Sequence, residues 1–279
     1  MKSSSQLFPV ELVSAEICNG AYQDLYSLKP NRCQDKTVEI ALLHLHKTPR
    51  VEDAQQILFV HSIFQSHWQW MDGGPYQQMV SKLVEQGYSV WLMDWRAHGS
   101  SKMNRDYRRN RLQIMAEHDL LAVTEFIQER STVACTIVAC GYGAQMVQRV
   151  IPALQHIQQF IFIDAETLVT SRKYWIPGYR LLKYFRLLGK TWVNGVGSEA
   201  ESVELFREIL LECGWLGRRN QAVRQQAKTE LLQQADNILW LCSSRQHERR
   251  AQKALRRQAA TRQLSVEQLP VAIFESVSS

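Results

Sequence analysis

The sequence lacks the features of several protein classes. No apolar run approaches the roughly 18 residues of a membrane-spanning helix, and residues 1–9 lack the apolar segment of a signal peptide. Charge is nearly balanced, with 33 basic and 27 acidic residues and a net charge of +6. Six cysteines scattered over 279 residues exclude a disulfide-rich scaffold, and 45% hydrophobic residues exclude disorder. We therefore expect a globular, cytoplasmic protein with reduced cysteines.

Short apolar runs alternate with helical patterns along the first two thirds of the chain. The sequence predicts strands over residues 38–46, 57–60, 88–94, 135–139, 160–164 and 238–242. It predicts amphipathic helices over residues 75–86, 114–130 and 144–154. Strands that are apolar on both faces and alternate with helices are typical of a parallel sheet covered by helices. The expected fold class is therefore α/β, with a mostly parallel central sheet.

Two segments carry a more specific pattern. Residues 90–101 read Val-Trp-Leu-Met-Asp-Trp-Arg-Ala-His-Gly-Ser-Ser, which is similar to the Asp-x-Arg-Gly-His-Gly-x-Ser segment of the α/β-hydrolase superfamily. Residues 59–64 resemble the His-Gly turn that follows the third strand in that family, with Ser62 in place of glycine. The resemblance covers about residues 38–279 and is to the lipase and esterase branch. It implies a hydrolase sheet and an oxyanion region at His61, Ser62 and Tyr142.

An insertion is expected within this fold. Residues 168–236 interrupt the alternation between the sixth and seventh core strands, and stretches at 200–213 and 220–235 look helical. We expect an all-helical cap there. The sequence contains no internal repeat or linker, so residues 1–279 are expected to form a single domain.

The position of the nucleophile is unusual. In the family, Gly-x-Ser-x-Gly forms a tight turn between a strand and a helix, and small residues are needed two positions before and after the serine. Residues 139–143 read Ala-Cys-Gly-Tyr-Gly, so the small flanks place Gly141 at the serine position. Glycine has no nucleophilic atom but tolerates a strained backbone. Shifting the alignment by one residue would place Cys140 or Tyr142 at the serine position. Cys140 would then have large residues two positions away, at Val138 and Tyr142. The phenol of Tyr142 is a weak nucleophile.

The other two catalytic positions are also substituted in this alignment. Gln246 stands at the acid position, and Gln268 stands at the histidine position before Pro270. No histidine follows His247. Loss of serine and histidine would remove both the acyl-enzyme and its general base. A relocated set remains an alternative, with Cys140 or Tyr142 as the nucleophile, Asp164 as the acid and His247 as the base.

Three hypotheses for function follow. The first is a non-catalytic member that binds a small apolar or acyl ligand or a protein partner. The second is an active ester or acyl hydrolase with relocated groups. The third is a basic module for an anionic or membrane surface, through the helical face of Arg249, Lys253 and Arg256. We identify no clear nucleic-acid motif.

Several further residues have candidate roles. The aromatic side chains of Trp68, Trp70, Tyr174 and Trp175 could line a ligand or cap pocket or serve only in packing. Hydrogen bonds made by His61 and His98, and hydrogen bonds accepted by Asp94, are expected to hold loops in place. His44 and His46 lie two apart on one strand face, but no third ligand is spaced nearby, so a surface pair is expected rather than a metal site. We expect no cofactor.

Overall fold

The computed structural model describes residues 5–47, 53–165, 185–212, 235–244, 248, 252, 260–265 and 267–278. The strands of the main sheet are β1 (Val10–Cys18), β2 (Ala21–Leu28), β3 (Ile40–His46), β4 (Gln56–Val60), β5 (Ser89–Met93), β6 (Cys135–Cys140), β7 (Ile157–Ile163), β10 (Ile238–Cys242) and β11 (Ala260–Gln263). A separate pair consists of β8 (Trp192–Val193) and β9 (Glu201–Ser202).

The main sheet is mixed, with its parallel part at the centre. Its order is β1-β2-β3-β5-β4-β6-β7-β10-β11. The strands from β5 to β11 in this order are parallel, whereas β1, β2, β3 and β5 pair antiparallel. Every residue of β4, β5 and β6 is buried, because these strands are covered on both faces.

The α-helices flank this sheet. They are α1 (Trp68–Met71), α2 (Pro75–Glu85), α3 (Leu112–Met115), α4 (Leu121–Arg130), α5 (Gly141–Val150), α6 (Val203–Glu212) and α7 (Leu269–Ser278). A π-helical turn, Ala116–Leu120, joins α3 to α4. Pro75 begins α2, and Gly87, with a φ of +91°, follows its end.

Two apolar clusters lie on opposite faces of the sheet. The first contains Trp91, Phe126, Phe162 and Trp240 and includes side chains of α3, α4 and α5. The second contains Phe59 and Trp70 and includes side chains of α2 and α7. The sheet is therefore covered on both sides, and the carboxyl ends of its parallel strands meet at one edge, where α/β proteins place their sites.

The predicted mostly parallel sheet flanked by helices is confirmed. The six predicted strands are present, with ends shifted by up to three residues. Outside the insertion, the prediction omitted β1, β2, β11, α1 and α7. The expectation of an all-helical insertion is wrong for its described part, because β8 and β9 pair there before α6. The predicted helix over 220–235 lies outside the described residues.

Three smaller findings complete the fold. Within the described ranges, no helix is both long enough and apolar enough to cross a membrane. Five cysteines are described, at positions 18, 33, 135, 140 and 242, and all are free thiols. The expectation that His44 and His46 form a surface pair is wrong, because their side chains are 1% and 2% exposed. The ring of Trp91 stacks on His44, and the ring of Tyr22 stacks on His46.

Candidate functional site

The turn between β6 and α5 lies at the carboxyl edge of the sheet. Strand β6 ends at Cys140 and α5 begins at Gly141. Gly141 has a φ of +51°, in the left-handed region that disfavours side chains. A Cβ at this position would lie 2.5 Å from the Oγ of Ser62. The positive φ and the nearby Ser62 hydroxyl both favour glycine at the apex of the turn. The apex therefore has no side-chain atom that could attack a substrate.

The flank of this turn is equally tight. A Cβ at Gly143 would lie 2.3 Å from the carbonyl oxygen of His61. Ala139, two residues before the apex, is fully buried. At Gly143 the backbone of His61 therefore leaves no space for a side chain.

The hydroxyl of Ser62 lies against this apex. The backbone N–H of Tyr142, the residue after Gly141, donates a hydrogen bond to Ser62 Oγ over 3.1 Å. In a hydrolase elbow, the corresponding N–H is one of the two that stabilise the oxyanion. In this chain a hydroxyl of the protein itself accepts that hydrogen bond. The ring of Tyr142 is half-buried and packs against the first apolar cluster.

Cys140 is a buried thiol. The Nε2 of Gln69 donates to its Sγ over 3.1 Å, and the thiol lies 3.7 Å from the carbonyl oxygen of Val60. Burial raises the pKa of Cys140 to about 11, although the Gln69 hydrogen bond acts in the opposite direction. The nearby charge of Asp164 raises this pKa further. The thiol therefore stays protonated near neutral pH, which is unfavourable for a nucleophile.

Asp164 follows the last residue of β7 and has a φ of +45°. Its carboxylate accepts hydrogen bonds from both the backbone N–H, at 2.7 Å, and the hydroxyl of Ser243, which follows β10. These bonds tie the ends of two neighbouring strands together. The candidate base His247 and the substituted acid position Gln246 lie outside the described residues.

Gln268 lies at the start of α7. Its side chain is exposed. Its Oε1 accepts from the backbone N–H of Ser265 over 3.0 Å, and its carbonyl oxygen accepts from the N–H of Ala272 over 3.0 Å. Gln268 therefore closes the turn before the last helix and begins that helix.

His61 is fully buried, and both of its ring nitrogens are engaged. Its Nδ1 donates to the carbonyl oxygen of Ser62 over 2.7 Å, and its Nε2 accepts from the N–H of Trp95 over 3.2 Å. Burial lowers the pKa of His61 to about 3, against the opposing charge of Asp94. A neutral imidazole with no spare lone pair cannot serve as a base for Ser62 or Tyr142.

Asp94 organises the two loops beside His61. Its carboxylate accepts from the backbone N–H of His67 and, 2.7 Å away, from the Nδ1 of the same residue. It also accepts from the N–H of Ser100 over 2.8 Å. Burial alone would raise the pKa of Asp94, but the hydrogen bonds from the His67 side chain and the Ser100 N–H hold it below its ordinary value. Asp94 has the loop-holding geometry expected from the sequence.

His98 forms a second buried link, with Glu201 of β9. The Nε2 of His98 lies 2.8 Å from Oε1 of Glu201, and its Nδ1 lies 2.9 Å from the carbonyl oxygen of Arg96. Both neighbours only accept hydrogen bonds, so the ring donates from both nitrogens and is charged. Burial alone would lower the pKa of His98, but the charge of Glu201 raises it to about 9. The pair fixes the insertion to the core, and the sequence analysis missed Glu201.

The aromatic candidates differ in exposure. Trp70 is fully buried against Phe59 and Tyr76, with ring centroids 5.0 and 5.3 Å away. Trp68 is 56% exposed. The geometry of Trp70 is that of a core side chain, whereas Trp68 could contact a ligand. The other candidates lie outside the described residues, namely Tyr174, Trp175, Arg249, Lys253 and Arg256.

Comparisons with known proteins agree with this fold. A model described as "Alpha/beta hydrolase family" matches residues 57–269. No curated protein matches the chain significantly. The solved thioesterase domain from the curacin biosynthetic pathway is similar, with 13% identity, a TM-score of 0.58, and coverage of 95% of this chain and 100% of its own.

Two further structures are similar across nearly their whole length. A putative aryl esterase from Burkholderia cenocepacia has 16% identity, a TM-score of 0.55 and coverage of 91% of this chain and 96% of its own. A haloalkane dehalogenase loop variant from Bradyrhizobium elkanii has 15% identity, a TM-score of 0.57, and coverage of 96% of this chain and 95% of its own. At such identities the similarity establishes the fold alone.

Proposed function

The chain belongs to the alpha/beta hydrolase family, and we propose that it is a non-catalytic member whose former acyl site binds a small apolar or acyl ligand. The main observation behind this proposal is that the Ser62 side chain lies directly against Gly141. The apex has no side chain, and the Ser62 hydroxyl lies beside the space that a nucleophile would need.

The oxyanion region supports the same conclusion. The N–H of Tyr142 already donates to Ser62 Oγ. An anion developing nearby would have to displace that hydroxyl, so the donor is not preorganised for a transition state. Removing one such donor typically lowers kcat by about 100- to 1,000-fold.

Ser62 is itself a poor nucleophile in this geometry. A serine needs an adjacent base to lose its proton. The adjacent histidine, His61, is neutral, and its two nitrogens are used by Ser62 O and Trp95 N. Its pKa of about 3 makes it a weak proton acceptor.

A relocated mechanism through Cys140 is disfavoured on similar grounds. The thiol is 6% exposed, and burial raises its pKa to about 11. Catalytic cysteines instead lie in partly exposed, electropositive surroundings that lower the pKa.

The class of ligand follows from the family and from the neighbours. The neighbours include a thioesterase domain and a putative aryl esterase, enzyme classes that act on acyl groups. At the carboxyl edge of the sheet, hydrogen bonds to Asp94 and His98 hold the loops in place. An acyl chain is therefore the ligand class that we propose.

The first experiment measures hydrolysis of short- and long-chain acyl esters together with labelling by a fluorophosphonate probe. We expect neither turnover above the uncatalysed rate nor covalent labelling. The matched variants are Ser62→Ala and Cys140→Ala. Turnover or labelling that either substitution abolishes would contradict the proposal. Turnover abolished by thiol alkylation would point to Cys140.

The second experiment measures ligand binding. Titration with fatty acids of increasing length should raise the melting temperature of the protein, because a ligand of the folded state stabilises it. Trp68→Ala should weaken this effect if the ligand contacts the exposed indole. A melting temperature that no fatty acid changes would contradict the ligand-binding part of the proposal.

The third experiment tests the apex itself. Gly141→Ser alone should destabilise the protein, since its Cβ would meet the Ser62 hydroxyl. The double variant with Ser62→Gly removes that contact and should recover part of the loss. Equal stability of the single and double variants would show that the two positions do not share this space.

A further inference from the structure

Three buried side chains converge on β2 and β3, at the end of the sheet opposite Gly141. Asp24 of β2 pairs in register with His44 of β3, and His46 follows two residues later on the same face. Their exposed fractions are 5%, 1% and 2%. The His44 side chain also contacts Ser89, the first residue of β5, which places the cluster at the amino end of the parallel strands.

The spacing of these side chains suits a metal ion. One potential ligand atom from each residue lies within 4.8 Å of the other two. His46 Nε2 and Asp24 Oδ2 are 3.3 Å apart. Two ligand atoms bound tetrahedrally to Zn²⁺ at about 2.0–2.1 Å would lie roughly 3.4 Å apart, so this pair already has nearly the required separation.

The orientation of His44 provides independent evidence. Its Nε2 lies 2.7 Å from Ser89 Oγ, and its ring stacks on Trp91 with centroids 3.5 Å apart. Its Nδ1 is buried and has no hydrogen-bond partner. Leaving a buried polar atom unpaired costs about 1–3 kcal/mol. Metal-bound histidines commonly bind through one nitrogen while the other makes a hydrogen bond of this kind.

We propose that Asp24, His44 and His46 form a binding site for a divalent cation of the Zn²⁺ class. Two imidazoles and one carboxylate are a donor set that suits Zn²⁺. His44 would bind through Nδ1, with Ser89 holding the ring. Three protein ligands leave a fourth position for water.

The surroundings set the protonation state and the affinity. Burial lowers the pKa of His44 well below its ordinary value, and His46 and Arg130 act in the same direction. His44 is therefore neutral, as a ligand must be. The Tyr26 hydroxyl donates to Asp24 Oδ2 over 3.2 Å. The Arg130 guanidinium lies 4.8 Å from the centre of the Tyr26 ring, and its positive charge opposes a cation.

The test is calorimetric titration of the chelator-treated full-length protein with Zn²⁺, followed by a Co²⁺ titration read by visible absorption. We expect one ion per chain and the absorption of a tetrahedral N/O site. Asp24→Asn and His46→Gln should each weaken binding by at least about tenfold. Arg130→Gln should tighten it by roughly fivefold, because a repulsive charge is removed.

The control is His156→Asn, which removes an exposed histidine elsewhere on the protein and should leave the affinity unchanged. Circular dichroism of the metal-free variants verifies that they fold. Failure of the folded wild type to bind Zn²⁺ would overturn the proposal, as would binding that Asp24→Asn and His46→Gln both leave unchanged. Weaker binding in His156→Asn would indicate a surface site instead, which also overturns it.

Discussion

Replacing Glu201 with glutamine should remove a pH-dependent part of the stability of this protein. His98 and Glu201 are each 2% exposed, and their charged atoms lie 2.8 Å apart. The pKa of His98 is about 9 in the folded state, compared with about 6.5 for an unperturbed histidine. Glutamine keeps the shape of the side chain but removes the charge that holds His98 protonated.

The sign and size of the pH-dependent stability follow from the difference between the folded and unfolded pKa values of His98. A histidine with a raised folded-state pKa stabilises the fold fully below about pH 6.5, and the stabilisation is lost as the pH rises through about 9. At about 1.4 kcal/mol for each pH unit between the two pKa values, the full contribution is about 3 kcal/mol. About 2 kcal/mol of it should disappear between about pH 6 and about pH 8.5.

The assay is urea unfolding at several pH values and constant ionic strength. Buried thiols complicate the alkaline end, because burial raises the pKa of Cys135 to about 12 and of Cys140 to about 11. In both proteins the thiols ionise more readily once the chain is unfolded, which lowers stability at high pH. The difference in unfolding free energy between wild type and Glu201→Gln cancels this effect and isolates that of His98. The control is Glu204→Gln, at a half-buried pair with Arg207 that contains no histidine. Parallel pH curves for wild type and Glu201→Gln would refute the reasoning.

Three further substitutions should lower the free energy of unfolding, measured by urea denaturation. Gly143→Ala should cost about 1–3 kcal/mol, because its Cβ would meet the His61 carbonyl oxygen at 2.3 Å; an unchanged midpoint would contradict this contact. Asp119→Asn should cost about 3–5 kcal/mol, since Arg96 pairs with it at 1% exposure; a loss below about 1 kcal/mol would indicate a solvated pair. Trp70→Ala should cost about 3–5 kcal/mol if the side chain serves in packing, and a small loss would favour a pocket role.

The central strands could be predicted from the sequence for a clear physical reason. Strands β4, β5 and β6 are buried on both faces, so each is a short continuous apolar run between turn residues. Edge strands leave a weaker pattern. β1 is mostly exposed and contains an irregularity between Leu12 and Ser14, which breaks its alternation.

The candidate site was predictable only where local sequence determines it. The turn at Gly141 could be aligned with the Gly-x-Ser-x-Gly pattern because the tight turn needs small residues only two positions before and after its apex. Glu201 could not be linked to His98, because 103 positions separate them. Asp24 was missed for a related reason. Its approach to His44 depends on the pairing of β2 with β3, and β2 was not predicted.

Positions 62 and 141 constrain each other through one small volume. A side chain at the apex needs space that the Ser62 hydroxyl occupies, and that hydroxyl is held by the Tyr142 N–H. Glycine at 141 makes room for serine at 62, and serine at 62 uses the donor that an oxyanion would otherwise need. The two residues therefore stabilise a ground-state turn, whereas a hydrolase elbow directs the same groups at a transition state.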